Sequence, residues 1–263
     1  MFRQSLLITF QLLFVHSLTQ AQTHWEASLV SAQQKAIEEQ KLIIIDIDAE
    51  WCKPCKVMNK ELWESEDMKA YSYQFIFVRL DFEKDRGLTN RVGVSALPSV
   101  LVTDPIGNTI WSQQGYRGKA HYLSIFKALP PYKVPIKQLL IGNNNQLDIE
   151  GWKTIANLYQ TLALSSSHEE IRLGLLKISS AYYEEIDKKT DDDVNIKTQL
   201  ILNEAMEGNH KRSLKKIERL APPESETVHF IYALCHLHLG NQQAYSEHVE
   251  KVISDKYLSI LFN

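Results

Sequence analysis

Between Trp25 and Lys41, Ala27, Leu29/Val30 and Ala36/Ile37 recur at helical spacing and predict a helix. The run Leu42-Ile43-Ile44-Ile45-Asp46-Ile47 that follows is β-branched and short, the pattern of a buried strand. The periods then alternate: a helix from Cys52 to about Tyr71, a strand over 75–80, a short helix over 88–92, strands over 99–103 and 109–111, and a closing helix over 120–129. Asp104-Pro105-Ile106-Gly107-Asn108, between the last two strands, has the composition of a hairpin turn. Pro130, Pro131 and Pro135 interrupt the pattern, and from there to the end only helical spacing remains. The expectation is an α/β domain over residues 22–129, a Pro-rich linker over 130–135 and an all-helical domain over 136–263.

The helical half contains a repeat. Gly208-Asn209 and Gly240-Asn241 stand at one offset, and at that same offset Ile217-Glu218-Arg219-Leu220 matches Val249-Glu250-Lys251-Val252. Each Gly-Asn can end one helix and turn into the next, because both residues tolerate the left-handed cap conformation. The pattern resembles tetratricopeptide helical hairpins, although the upstream helices near 152–164 and 169–186 do not keep its register.

Composition narrows the class of function. The 263 residues are 44% hydrophobic and 23% charged, which is enough apolar material for two packed cores. With 29 Lys+Arg against 32 Asp+Glu, a net charge of -3, no basic field exists for nucleic acid or an anionic membrane surface. At the N-terminus, Arg3, the mainly apolar Leu6 to Val15, and Thr19-Gln20-Ala21 form the three regions of a secretory signal peptide over residues 1–21. Cleavage after Ala21 is expected to export a soluble product to the periplasm.

The chemistry rests on three cysteines. Cys52 and Cys55 form a C-x-x-C pair; Cys235 is left over in an apolar helical pattern, where cysteine is usually a small buried hydrophobe. No second ligand pair stands at zinc spacing, so neither a metal nor another cofactor is expected. Around the pair the chain reads Ala49-Glu50-Trp51-Cys52-Lys53-Pro54-Cys55-Lys56. This stretch resembles the W-C-x-P-C active site of the thioredoxin family, which sits between a central strand and a helix. Two further features agree with the resemblance, Asp46 six residues before Cys52 and Leu97-Pro98-Ser99 opening a later strand. The segment Glu61-Leu62-Trp63-Glu64-Ser65-Glu66-Asp67 is closest in texture to the periplasmic thioredoxin-like domain of the thiol:disulfide interchange proteins.

The resemblance implies a thioredoxin fold, a mixed sheet flanked by helices, and an exported thiol:disulfide oxidoreductase that reduces or exchanges protein disulfides. Its partners would be disulfide-containing exported proteins and a thiol:disulfide electron donor or acceptor. At a helix start, Cys52 faces unpaired N–H groups and the positive end of the dipole, which stabilise a thiolate by at most ~1.5 pKa units. That makes it the nucleophile, and Cys55, one turn on, the resolving thiol; Pro54 fits the first turn, where its missing N–H has no partner to lose. Asp46 is either a base acting on Cys55 through a water or a plain strand-end carboxylate. Many thioredoxins set a lysine beside this aspartate, and the corresponding position here reads as Phe77. Pro98 is either a strand-opening proline or a cis-proline that lays Leu97 beside Cys52, for a substrate chain to pair with. Trp51, Lys53, Pro54, Leu97 and Pro98 are then the substrate-binding residues, and Tyr116 is either a second aromatic wall or a buried aromatic beside Gly115. Two other classes fit the residues: a partner-binding helical module with a secondary redox centre, and a structural or chaperone-like protein with a vestigial dithiol.

Overall fold

The computed structural model describes residues 24–133 and 148–262. The expected signal segment, Pro135 and the first residues of the helical half lie outside them. In chain order the first part contains β1 (Trp25–Glu26), α1 (Leu29–Glu39), β2 (Ile43–Asp48), α2 (Lys53–Met58), a π-helical turn (Asn59–Trp63), α3 (Glu66–Lys69), β3 (Ile76–Asp81), α4 (Arg86–Arg91), β4 (Ser99–Thr103), β5 (Thr109–Gln114) and α5 (Lys119–Ala128). The strands form one mixed sheet in the order β1-β3-β2-β4-β5, with β3 parallel to β1 and β2, and β4 antiparallel to β2 and β5.

The period-two pattern of β2 divides the core in two. Ile43, Ile45 and Ile47 pack with Ala32 and Ala36 of α1 and with Ile76, Val78 and Leu101. Leu42 and Ile44 face the other way, onto Met58, Leu62, Trp63, Phe77 and Val102. Asp46 shares this second face because side chains alternate along a strand. Asp48 follows on the same face, nearer the strand end, and its carboxylate lies 3.6 Å from the same Arg79 Nε that Asp46 holds.

Two local expectations are corrected. Trp25 does not begin a helix; it and Glu26 pair with Phe77 and Val78 as a short edge strand. The helix waits for Ser28, whose side chain and backbone form a capping box with Ser31. Nor does one helix run from Cys52 to Tyr71. It widens at Asn59–Trp63, ends, and restarts after Ser65. Such π turns insert an extra residue into a helix and are frequent at functional sites.

The second part consists of α6 (Ile149–Ser165), α7 (Glu169–Asp187), α8 (Val194–Met206), α9 (His210–Leu220), α10 (Glu226–His238), α11 (Gln242–Val249) and α12 (Asp255–Leu261). Successive helices through α11 pack on one another, and α12 returns to touch α10 and α6. Both Gly-Asn pairs turn as expected. Gly208 and Gly240 take φ values of 92° and 75°, and Asn209 and Asn241 are the N-caps of α9 and α11.

A continuous core joins the two parts. Helix α7 packs on β5, the last strand of the sheet. The approach is so close that a β-carbon at Gly174 would stand 1.7 Å from the Ile110 carbonyl oxygen. The Trp111 indole donates to Glu170 across this seam at 2.6 Å. Asp104 of the hairpin turn accepts from the backbone N–H groups of Ile106 and Asn108 and from the Tyr159 hydroxyl of α6. Tyr132 and Tyr159 are hydrogen-bonded at 3.1 Å. An edge strand left bare offers unpaired backbone groups to other chains, and α7 removes that hazard here.

Candidate active site

Cys52 is the N-cap of α2, reached from β2 through a turn in which its N–H donates to the Ala49 carbonyl at 2.9 Å. It is bonded to Cys55, with Sγ atoms 2.03 Å apart. The Cys55 N–H points at Cys52 Sγ, 3.2 Å away. A donor aimed at this sulfur stabilises it as a thiolate once the disulfide opens. Both cysteines are nearly covered, Cys52 at 3% and Cys55 at 5% exposure, by Ala49, Phe82 and Leu97.

Two shallow grooves meet over Lys53, Pro54 and Leu97, and the first of them reaches Cys52. One, about 420 Å³, is lined by Trp51, Cys52, Phe82, Ser95 and Ala96 in addition. The other, about 500 Å³, adds Val57, Gly115 and Tyr116. Thus the sequence-derived residues Trp51, Lys53, Pro54 and Leu97 assemble around Cys52, with Trp51 in one groove and Tyr116 in the other. Trp51 is 61% exposed, a large apolar surface left in solvent beside a reactive group. The Leu97-Pro98 peptide is cis. Tyr116 is held by stacking on Tyr122 and by donating to Glu61 at 2.9 Å. Phe82 and Val57 lie outside the motif; position directly after a strand, or one turn beyond Lys53 and Pro54, is the only signal for them.

Asp46 is 1% exposed. Strand register sets Arg79 opposite it and Phe77 opposite Ile44, so the basic partner sought at Phe77 stands two residues later. Arg79 Nε donates to Asp46 Oδ2 at 2.8 Å, and its outer nitrogen donates to Asn59 of the π turn at 2.9 Å. The guanidinium also lies 4.3 Å from the Trp25 ring centroid. Asp46 Oδ1 and the Trp63 indole nitrogen are buried without a partner at hydrogen-bond distance. Burial pushes the Asp46 carboxyl up to about 7, against the opposing pull of Arg79.

The sign of the resulting pH effect follows. An unfolded aspartate loses its proton near pH 3.9, and the folded one keeps it to about 7, so this group's contribution to stability declines as pH rises through that window and then levels. Asp46→Asn, whose amide oxygen can still accept from Arg79, is expected to stabilise the protein at pH 8 by up to about 4 kcal/mol and to be near neutral at pH 4. Urea unfolding at the two pH values measures this; an equal effect at both would refute it.

Cys235 is buried on α10, and burial, with Glu204 adding, pushes its thiol up to about 12. We expect no alkylation of Cys235 in the native protein and full alkylation in denaturant. Among the described residues, no group of three or more His, Cys, Asp or Glu side chains is placed to hold a metal ion, and no helix is long and apolar enough to cross a membrane.

Residues 24–105 match the family model described as Thioredoxin-like. A thioredoxin of Buchnera aphidicola is 28% identical over 71 residues, 27% of this chain and 62% of that protein. A thioredoxin of Echinococcus granulosus is 32% identical over 71 residues, covering 27% and 64% respectively. The chain therefore spans less than two thirds of the length of these relatives. Among solved structures, a DsbH oxidoreductase aligns with a TM-score of 0.38 and 21% identity, over 44% of this chain and 90% of its own. With its matched residues, its mixed sheet and the cysteine pair at the head of α2, the chain carries a thioredoxin-like domain.

Proposed function

We propose that the protein is an exported thiol:disulfide oxidoreductase acting on protein disulfides in the periplasm. The observation that carries this reading is the Cys52–Cys55 disulfide at a helix start, with Cys52 lining an apolar groove. In the reducing direction, the Cys52 thiolate attacks one sulfur of a substrate disulfide, forming a mixed disulfide and releasing the first substrate thiolate. Cys55, its proton passed through a water to Asp46, then attacks Cys52 Sγ. The second substrate thiolate leaves, and two electrons have passed from the dithiol to the substrate. An external thiol donor must restore the dithiol. Leu97 supplies the backbone for a substrate strand: among the described residues, neither its N–H nor its C=O has a hydrogen-bond partner.

Export is supported by the signal-like residues 1–21. For the helical half, the seam at β5 supports a stabilising role for α6 and α7. Contact with a protein partner then falls to the outer, tetratricopeptide-like hairpins of α9–α11, since stacked hairpins build concave binding surfaces. Titration of the full-length protein against glutathione tests the redox assignment. Cys52 and Cys55 are expected to open and close together in one two-electron transition; a pair that stays closed across the whole glutathione range would favour a structural staple.

A further inference from the structure

The segment between α4 and β4 forms one wall of the Cys52 groove, yet residues 94–98 belong to no helix or strand. Its position is set from the neighbouring strand by one side chain. Gln114, the last residue of β5, accepts at Oε1 from the Ser95 N–H at 3.0 Å, the Ser95 hydroxyl at 3.0 Å and the Ala96 N–H at 2.9 Å. Its Nε2 donates to the Gly93 carbonyl at 3.0 Å. Backbone N–H groups only donate and a carbonyl only accepts, so this orientation of the amide is the one that satisfies all four groups. Below the clamp, the Ser99 hydroxyl donates to the Ala96 carbonyl at 2.6 Å, and the Gly115 N–H donates to the Pro98 carbonyl at 2.7 Å.

We infer that Gln114 is a positioning residue that fixes the register in which a substrate strand meets Cys52. This role presupposes the function proposed above. An extended peptide adding to an exposed backbone segment needs free N–H and C=O groups, and it can slip by two residues wherever alternate groups are free. Gln114 occupies the N–H groups of Ser95 and Ala96. Of residues 95–97, Leu97 alone keeps a free N–H. A substrate disulfide is thereby directed to one place along the groove, the place where Leu97 packs against the cysteines. Gln114 touches neither substrate nor sulfur; it acts through the loop.

Three full-length variants test this. Gln114→Ala frees all four groups. Gln114→Glu keeps an acceptor for the three donors, but replaces the donor to Gly93 by an oxygen that the Gly93 carbonyl repels. Gln114→Leu keeps the bulk and no polar atom. For a disulfide-containing peptide, Ala and Leu are expected to raise KM about tenfold, the scale of one to two lost hydrogen bonds, while kcat moves less than twofold. Glu is expected to restore most of the loss. With a small aromatic disulfide, which has no backbone to pair, all three should match the wild type. An unchanged peptide KM, or equal losses with peptide and small disulfide, would overturn the inference. Amide hydrogen exchange at Ser95 and Ala96 reads the clamp without any activity: protection in the wild type and its loss in Gln114→Ala are expected, and equal exchange in the two proteins overturns it. A wild type that reduces neither substrate would instead count against the proposed function, and exchange would still decide the clamp.

Discussion

Cys52→Ala is expected to lower the rate of disulfide reduction at least about a thousandfold, to the background of the uncatalysed exchange. The reason is geometric. Cys52 alone of the three cysteines lines an open groove, and its sulfur receives the Cys55 N–H. Cys55 lies behind it, within reach of Cys52, and Cys235 is buried in another part of the molecule. Reduction of a fluorescent disulfide peptide, with a dithiol regenerating the protein, measures the effect. Retention of a tenth of the wild-type rate would mean that another group performs the attack.

The second large effect is expected at a residue far from the sulfur chemistry. Gly174→Ala adds one carbon, and that carbon would stand 1.7 Å from the backbone oxygen of Ile110. Backbone on both sides of the contact, a helix against a strand, has little freedom to give way. The variant is expected to lose about 3 kcal/mol or more, the upper range for overpacking, although alanine ordinarily favours a helix over glycine by about 1 kcal/mol. Thermal unfolding followed by circular dichroism would show it as a drop of roughly 6 to 12 °C, at the 2 to 4 °C per kcal/mol usual for a protein of this size. A melting temperature equal to or above that of the wild type would show that α7 does not bear on β5. Cutting the chain after residue 133 should act at the same seam, leaving Trp111 and Asp104 without Glu170 and Tyr159.

How much of this was legible in the sequence depends on how far apart the interacting residues lie. The α/β alternation, the dithiol and the Gly-Asn turns are written in short stretches, and the elements formed close to where hydrophobic period placed them. Trp25 is different. Its own spacing suits a helix, and only Phe77, far along the chain, draws it into a sheet edge. The partner of Asp46 was sought at Phe77 and found at Arg79, because parallel register is fixed by whole strands and not by counting from one residue. The π turn was invisible for a related reason: the contacts of Asn59 with Arg79 and of Trp63 with Trp25 and Phe77 are tertiary. The sharp change of texture at Pro130 marks a change of architecture. It does not mark a gap in the core, and a lone glycine inside a helical pattern was the only trace of the seam.

The central claim is that Cys52 is the attacking sulfur and Cys55 the resolving one. The most direct measurement uses full-length Cys55→Ala, reduced, exposed to a disulfide peptide, then digested and read by mass spectrometry. Without a resolving thiol, the mixed disulfide should persist, with one peptide half attached to Cys52 and Cys235 unmodified. A peptide found on Cys235, or no adduct at all, would contradict the account.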